Sequence, residues 1–253
     1  MLHPSVRLPS SLLIVALAWL VGLPASADTL VVPAALENVE GNMANAGPFG
    51  KFLALNNDPF RTQQVYAASA FSAIGDVIGI HQLRFRSDGS EGSSGPSTSN
   101  DIEIRLSTTQ KDVDGLDFTD LDLNVDGADV TLVYAGSLTL QSCNCGTPTR
   151  DFDLVVDLQT PFYYDPSAGN LLFEVINTSD PYPLAFFLDA QDVAGDATSR
   201  LVEVIDASQA HMILGQNVSL GLVTQFVYTV PEPSSAWAGV VAAFGLLALR
   251  RAA

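Results

Sequence analysis

The chain has 253 residues, with 28 Asp and Glu against 11 Lys and Arg, and a formal net charge of −17. So acidic a surface repels nucleic acid and anionic lipid, which excludes nucleic-acid binding, and it attracts divalent cations. With both termini set aside the length suits one all-β domain or two small ones.

The chain opens with Arg7, a compact apolar run from Leu12 to Leu23, and the small-residue triplet Ala25-Ser26-Ala27. That order reads as a secretory signal peptide over 1–27, cleaved after Ala27 with Ala25 completing the A-x-A site. The exported domain is then 28–229. Three of the eleven cations and one of the twenty-eight acids fall outside 28–230, so the exported part carries about −19. Its hydropathy period is two. Strands are predicted over Val65–Phe71, Val77–Arg86, Asp101–Leu106, Val130–Leu140, Asp151–Leu158, Leu171–Ile176, Leu184–Leu188, Leu201–Ile205 and Leu222–Val230. Ile102, Ile104 and Leu106 take one face of their strand, and Phe152, Leu154, Val156 and Leu158 one face of theirs. Val130, Leu132, Tyr134, Leu138 and Leu140 are expected to line a third. Turn clusters separate these runs, and the Ser- and Gly-rich stretch Ser87–Asn100 reads as a loop. Strands with one polar face and no long helical pattern between them predict an all-β fold, an antiparallel two-sheet β-sandwich of jelly-roll type. A signal helix and a short hydrophobic helix are expected at the two ends.

Within that domain, Asp122-Leu123-Asn124-Val125-Asp126-Gly127 reads D-x-N-x-D-G, the opening half of an EF-hand-type calcium loop. In that resemblance Asp122, Asn124 and Asp126 are ligands, Gly127 makes the turn and Asp129 completes an irregular site. Position twelve is Val133, where the loop calls for Glu, and the competing reading is an acidic hairpin loop. No cofactor is otherwise expected. Cys143 and Cys145 form a lone C-x-C read as a minor structural turn. His81 shares an alternating face with Val77, Leu83 and Phe85 and reads as a partly buried strand histidine, and His211 has no motif around it. With no G-x-S-x-G, no H-E-x-x-H and no phosphate-cradling glycine loop, no catalytic set is assigned. The aromatics Phe162, Tyr163 and Tyr164, and Tyr182, Phe186 and Phe187, suit either core packing or a sugar-stacking platform.

The last segment, 230–253, contains Pro231-Glu232-Pro233, an apolar run from Ala236 to Leu249, and Arg250-Arg251. A helix over Ser234–Leu249 would be about 24 Å long, short of the roughly 30 Å hydrocarbon core. The arginine pair favours the cytoplasmic side. Together these elements resemble the PEP-CTERM sorting signal, a tail type also associated with the C-terminal region of ice-binding proteins. The resemblance implies an exported protein, processed by an exosortase-type enzyme and held in the membrane by this segment beforehand. Gln63–Tyr66, Ile102–Thr109, Thr160–Leu172 and Gly221–Phe226 also resemble blocks of PEP-CTERM ectodomains, which implies a surface β-domain. The functional expectation is a non-enzymatic cell-surface or extracellular-matrix protein, with exopolysaccharide as a candidate partner. A calcium-dependent glycan-binding module and a secreted hydrolase are the alternatives.

Overall fold

Alternating apolar and polar residues favour extended chains that pair edge to edge, and that is what this sequence forms. The computed structural model describes residues 27–50, 59–75, 77–90, 95–179, 187–205, 212–214 and 219–231. The strands are β1 (Asp28–Val32), β2 (Met43–Asn45), β3 (Phe60–Tyr66), β4 (Ile78–Phe85), β5 (Ser97–Thr109), β6 (Thr131–Leu140) and β7 (Leu154–Tyr164). They continue with β8 (Asn170–Asn177), β9 (Leu188–Asp192), β10 (Thr198–Val204), β11 (Met212–Leu214), β12 (Leu220–Leu222) and β13 (Thr224–Thr229). All strand pairings are antiparallel, and the described helices are single 3₁₀ turns, so the fold is all-β. A four-stranded sheet runs β1-β13-β4-β7, a six-stranded sheet β11-β10-β3-β8-β5-β6, and a small third sheet β12-β9-β2.

The core draws on all three sheets. Ile80, Phe85, Val156 and Phe226 of the four-stranded sheet join Tyr66, Ile102, Ile104, Leu106, Phe173 and Val175 of the six-stranded one, with Ala190 and Leu222 of the third. Rings interlock between sheets, Tyr66 against Phe226 at 5.0 Å and Phe85 against Phe173 at 6.1 Å. Opposite the core, the outer face of the six-stranded sheet carries a second apolar cluster. Val65, Leu172 and Leu201 are covered there by Leu116 and Leu121 of the 110–130 segment. That segment is a flap laid over the sheet.

Several expectations hold and several shift. Ile102, Ile104 and Leu106 are fully buried, as are Leu154 and Val156. The predicted face of Val130–Leu140 does not hold along its length. Leu138 and Leu140 are inside, but Leu132 is 46% and Val130 44% exposed, while Val133 is buried. The pairing of β5 with β6 slips between Ile104 and Arg105, placing one extra residue on β6 between Tyr134 and Leu132. Because side chains alternate, one inserted residue exchanges inside for outside beyond it. The same happens in β4. His81 is the extra residue opposite β13, so Ile78 and Ile80 face inward before it and Leu83 and Phe85 after it. His81 therefore does not share a face with Leu83 and Phe85, and Val77 is 40% exposed.

The strand expected over Val65–Phe71 runs Phe60–Tyr66, and Ala68–Phe71 is a 3₁₀ turn. Ser97–Asn100, expected in a loop, extends β5, and Thr160–Tyr164 extends β7. β1 and β2 were not anticipated. The expected terminal helices, and the larger part of the strand expected over 184–188, lie outside the described residues.

Between β1 and β2, the Leu36–Val39 turn is fastened by a buried cation. Arg86 is fully buried and ion-paired with Asp189 at 2.6 Å. Its Nη2 donates to the carbonyls of Leu36 (2.8 Å) and Val39 (2.6 Å), Nη1 donates to Glu37, and the guanidinium lies 4.7 Å from the Phe152 ring centroid. Asp189 also accepts from the Gly41 amide at 2.8 Å. Burial raises the Asp189 carboxyl above its usual range, against the opposing pull of Arg86.

Candidate functional site

The acidic flap is the region the sequence marks for cation binding, and its side chains are held by protein donors. Asp120 caps the 3₁₀ turn Leu121–Asn124 by accepting from the Asp122 amide at 2.9 Å. Asp122 projects outward, 80% exposed at its side chain, and pairs with Arg61 at 2.6 Å. Asn124 points the other way and is fully buried. Its Oδ1 accepts from the Asp117 amide at 2.6 Å, and its Nδ2 donates to Gln63 Oε1 at 2.9 Å and to the Asp117 carbonyl at 3.0 Å. Asp126 accepts from the Gln110 amide at 3.0 Å. Asp129 takes the Thr108 amide at 2.8 Å and the Thr108 hydroxyl at 2.6 Å.

The four residues of the D-x-N-x-D-G reading thus face different partners. Among the described residues no group of three His, Cys, Asp or Glu is placed to hold a metal ion. Gly127 has a packing reason: a Cβ there would stand 2.1 Å from the Thr108 carbonyl oxygen, so glycine alone lets the flap approach β5. Asp, Asn and Gly serve turn chemistry as readily as cation chemistry, and here the four side chains meet protein partners.

Beneath the flap lies a charge network that the sequence reading missed. Glu174 of β8, 3% exposed at its side chain, meets Arg61 at 2.6 Å and Arg105 at 3.3 Å, and accepts from Gln63 Nε2 at 2.7 Å. Arg105 also holds Glu103 at 2.6 Å. Burial alone would lower the Arg61 pKa, but the charges and hydrogen bonds of Glu174 and Asp122 outweigh it and hold the guanidinium above its usual value. Register brings these residues together, with Gln63 and Arg105 both opposite Glu174.

A concavity lies at the end of β7, between Ala68–Gly75 and the β7–β8 turn. Its volume is about 490 Å³, within the range of small-molecule sites. Ser69, Ser72, Ser167 and Asp165 give it polar walls, beside Phe71 and Val77. The Ser167 hydroxyl and amide both donate to Asp165 and pull its carboxyl below the usual range, so it is ionised at neutral pH. No family model, curated protein or solved structure matches the chain.

The remaining candidates separate as follows. Phe162 and Tyr164 are core residues, whereas Tyr163 is 63% exposed beside Gly79 on the outer face of the four-stranded sheet. Phe187 is partly buried, and Tyr182 and Phe186 lie outside the described residues. His81 is partly buried and its Nε2 lies 2.8 Å from Thr229 Oγ1. Cys143 and Cys145 form a disulfide with their Cα atoms 5.1 Å apart. Ala27 and Pro231 bound the described chain; Ala25, His211, Glu232, Pro233, Arg250 and Arg251 lie outside it. Among the described residues no helix is long and apolar enough to cross a membrane.

Proposed function

We propose that the chain is a non-enzymatic exported protein whose body, a two-layer β-sandwich, is presented at the cell surface or in the extracellular matrix. The signal peptide over 1–27 delivers it, and the PEP-CTERM-like tail over 230–253 sorts it through an exosortase-type enzyme. One observation carries the reading. The first described strand starts at Asp28, the last ends at Thr229, and Asp28 pairs with Tyr228. The two ends of the body therefore leave side by side at one end of one sheet. A leader removed at Ala27 and a tail over 230–253 thus join the body at the same end of that sheet. The sandwich is supported by the shared core of the four- and six-stranded sheets. Deletion of 231–253 is expected to move the protein from the envelope fraction into the medium, with Asp28 as the mature N-terminus. Unchanged envelope retention would sink this reading of the tail.

The cleft at the end of β7 favours a second reading, a glycan-binding module that needs no calcium. An ionised carboxylate, serine hydroxyls and apolar wall suit a neutral sugar. Glycan-array binding that persists in EDTA and is lost in Asp165→Ala is the expected result, and an array with no binding rejects it.

A further inference from the structure

Arg200 of β10 is a buried cation with no counter-charge among the described residues. It is 5% exposed, its Nη1 has no hydrogen-bond partner, and among the described residues no carboxylate pairs with it. Three other arginines on or beside the sheets are paired with carboxylates, whereas the half-buried Arg84 bonds to Gln82. Arg61 meets Glu174 and Asp122, Arg86 meets Asp189, and Arg105 meets Glu103 and Glu174. Carboxylates are not scarce, since the chain has 28 acids for 11 cations. An unpaired buried guanidinium is costly, and an anion that meets its planar fork relieves that cost.

The strand register locates the site. Arg200 pairs with Gln64 and Val202 with Thr62, so Arg200 and Thr62 are diagonal neighbours on one face of β10 and β3. This is the face whose Tyr66 enters the core, opposite the flap. Thr62 is 1% exposed and its hydroxyl likewise has no partner. Gln64 between them is spent, its amide bonded to the backbone of Leu222 at 2.8 and 3.0 Å. Two buried polar groups on adjoining strands, one of them cationic, thus have hydrogen-bonding capacity that no described residue meets. Burial alone depresses the Arg200 pKa to about 10, so the group stays charged at neutral pH.

We propose that Arg200 and Thr62 bind a carboxylate, the guanidinium pairing with it bidentately and the threonine hydroxyl donating to one of its oxygens. The carboxylate comes either from a small free acid or from a uronate unit of an acidic glycan, and the site does not depend on the sorting role of the tail. The test is thermal unfolding of the full chain in mild detergent at constant ionic strength. Acetate, at about tenfold excess over its Kd, is expected to raise Tm by roughly 3–6 °C relative to chloride. Glucuronate acting as well as acetate assigns the site to acidic glycans, and acetate acting alone assigns it to small acids. Arg200→Met is expected to abolish the response, and Thr62→Val to weaken acetate binding about fivefold. Thr62→Val carries the test should Arg200→Met fail to fold. Equal protection by chloride, no protection by either carboxylate, or an undiminished response in the variants would overturn the proposal.

Discussion

At the scale of single residues, Arg86 does more than any other side chain described. It joins β4 to β9 through Asp189 and gathers three carbonyls from Leu36–Val39, so one guanidinium ties that turn to the body. Removing one partner of a buried pair leaves the other charged and unpaired, which costs about 3–5 kcal/mol. Arg86→Met is therefore expected to lower unfolding stability by about that amount in urea titrations. Asp189→Asn is expected to cost a similar amount, because the guanidinium loses its counter-charge and the one amide oxygen cannot accept from both Arg86 and the Gly41 amide. A loss below about 1 kcal/mol in Arg86→Met would show that the segment is held by its apolar contacts instead. None of this was legible in the sequence. Arg86 and Asp189 are 103 positions apart, and nothing in the local pattern around either one marks it as buried.

At the scale of elements, the flap makes two meanings of one motif separable by experiment. If D-x-N-x-D-G served a cation, Asp122 and Asn124 would matter alike. In the fold they differ: Asp122 is an exposed partner of Arg61, and Asn124 is the buried pin between Asp117 and Gln63. Exposed ion pairs contribute about 0–1 kcal/mol, whereas a buried hydrogen-bonded amide leaves unsatisfied groups when truncated. Asn124→Ala is expected to cost about 2–4 kcal/mol, Asp122→Ala under about 1 kcal/mol, and EDTA is expected to leave the melting temperature unchanged. Equal losses for the two variants, or a drop in EDTA, would restore the cation reading. What was legible here follows from periodicity. Ile102, Ile104 and Leu106 alternate without interruption and are buried together. The faces of β4 and β6 were misread because a bulge inserts one residue and exchanges inside for outside, while local composition stays unchanged. Met43–Asn45 in β2 is too short to show a period. The β-class was thus written in the chain, and the site was not, because Glu174, Arg61 and Gln63 meet only through strand register.

At the scale of the whole molecule, charge sets the response to salt. A net charge of about −19 on the body, residues 28–230, repels itself more strongly folded than unfolded. Raising ionic strength from about 10 to 150 mM shortens the screening length from roughly 30 to 8 Å, well inside the dimensions of the body. Two opposing effects must be compared. Screening relieves repulsion among the surface carboxylates, and it also weakens ion pairs. The pairs that matter here are sheltered, however: Arg86 with Asp189 is fully buried and Glu174 is 3% exposed, and buried pairs are screened much less than exposed ones. Relief of repulsion should win. The melting temperature is therefore expected to rise by about 2–5 °C over that interval in sodium chloride, a salt that supplies no carboxylate to Arg200. The gain should level off once the screening length falls below the spacing of neighbouring surface charges. A fall in stability with added salt would mean that exposed pairs such as Arg61 with Asp122 contribute more than their accessibility allows, and that the acidic surface is balanced locally.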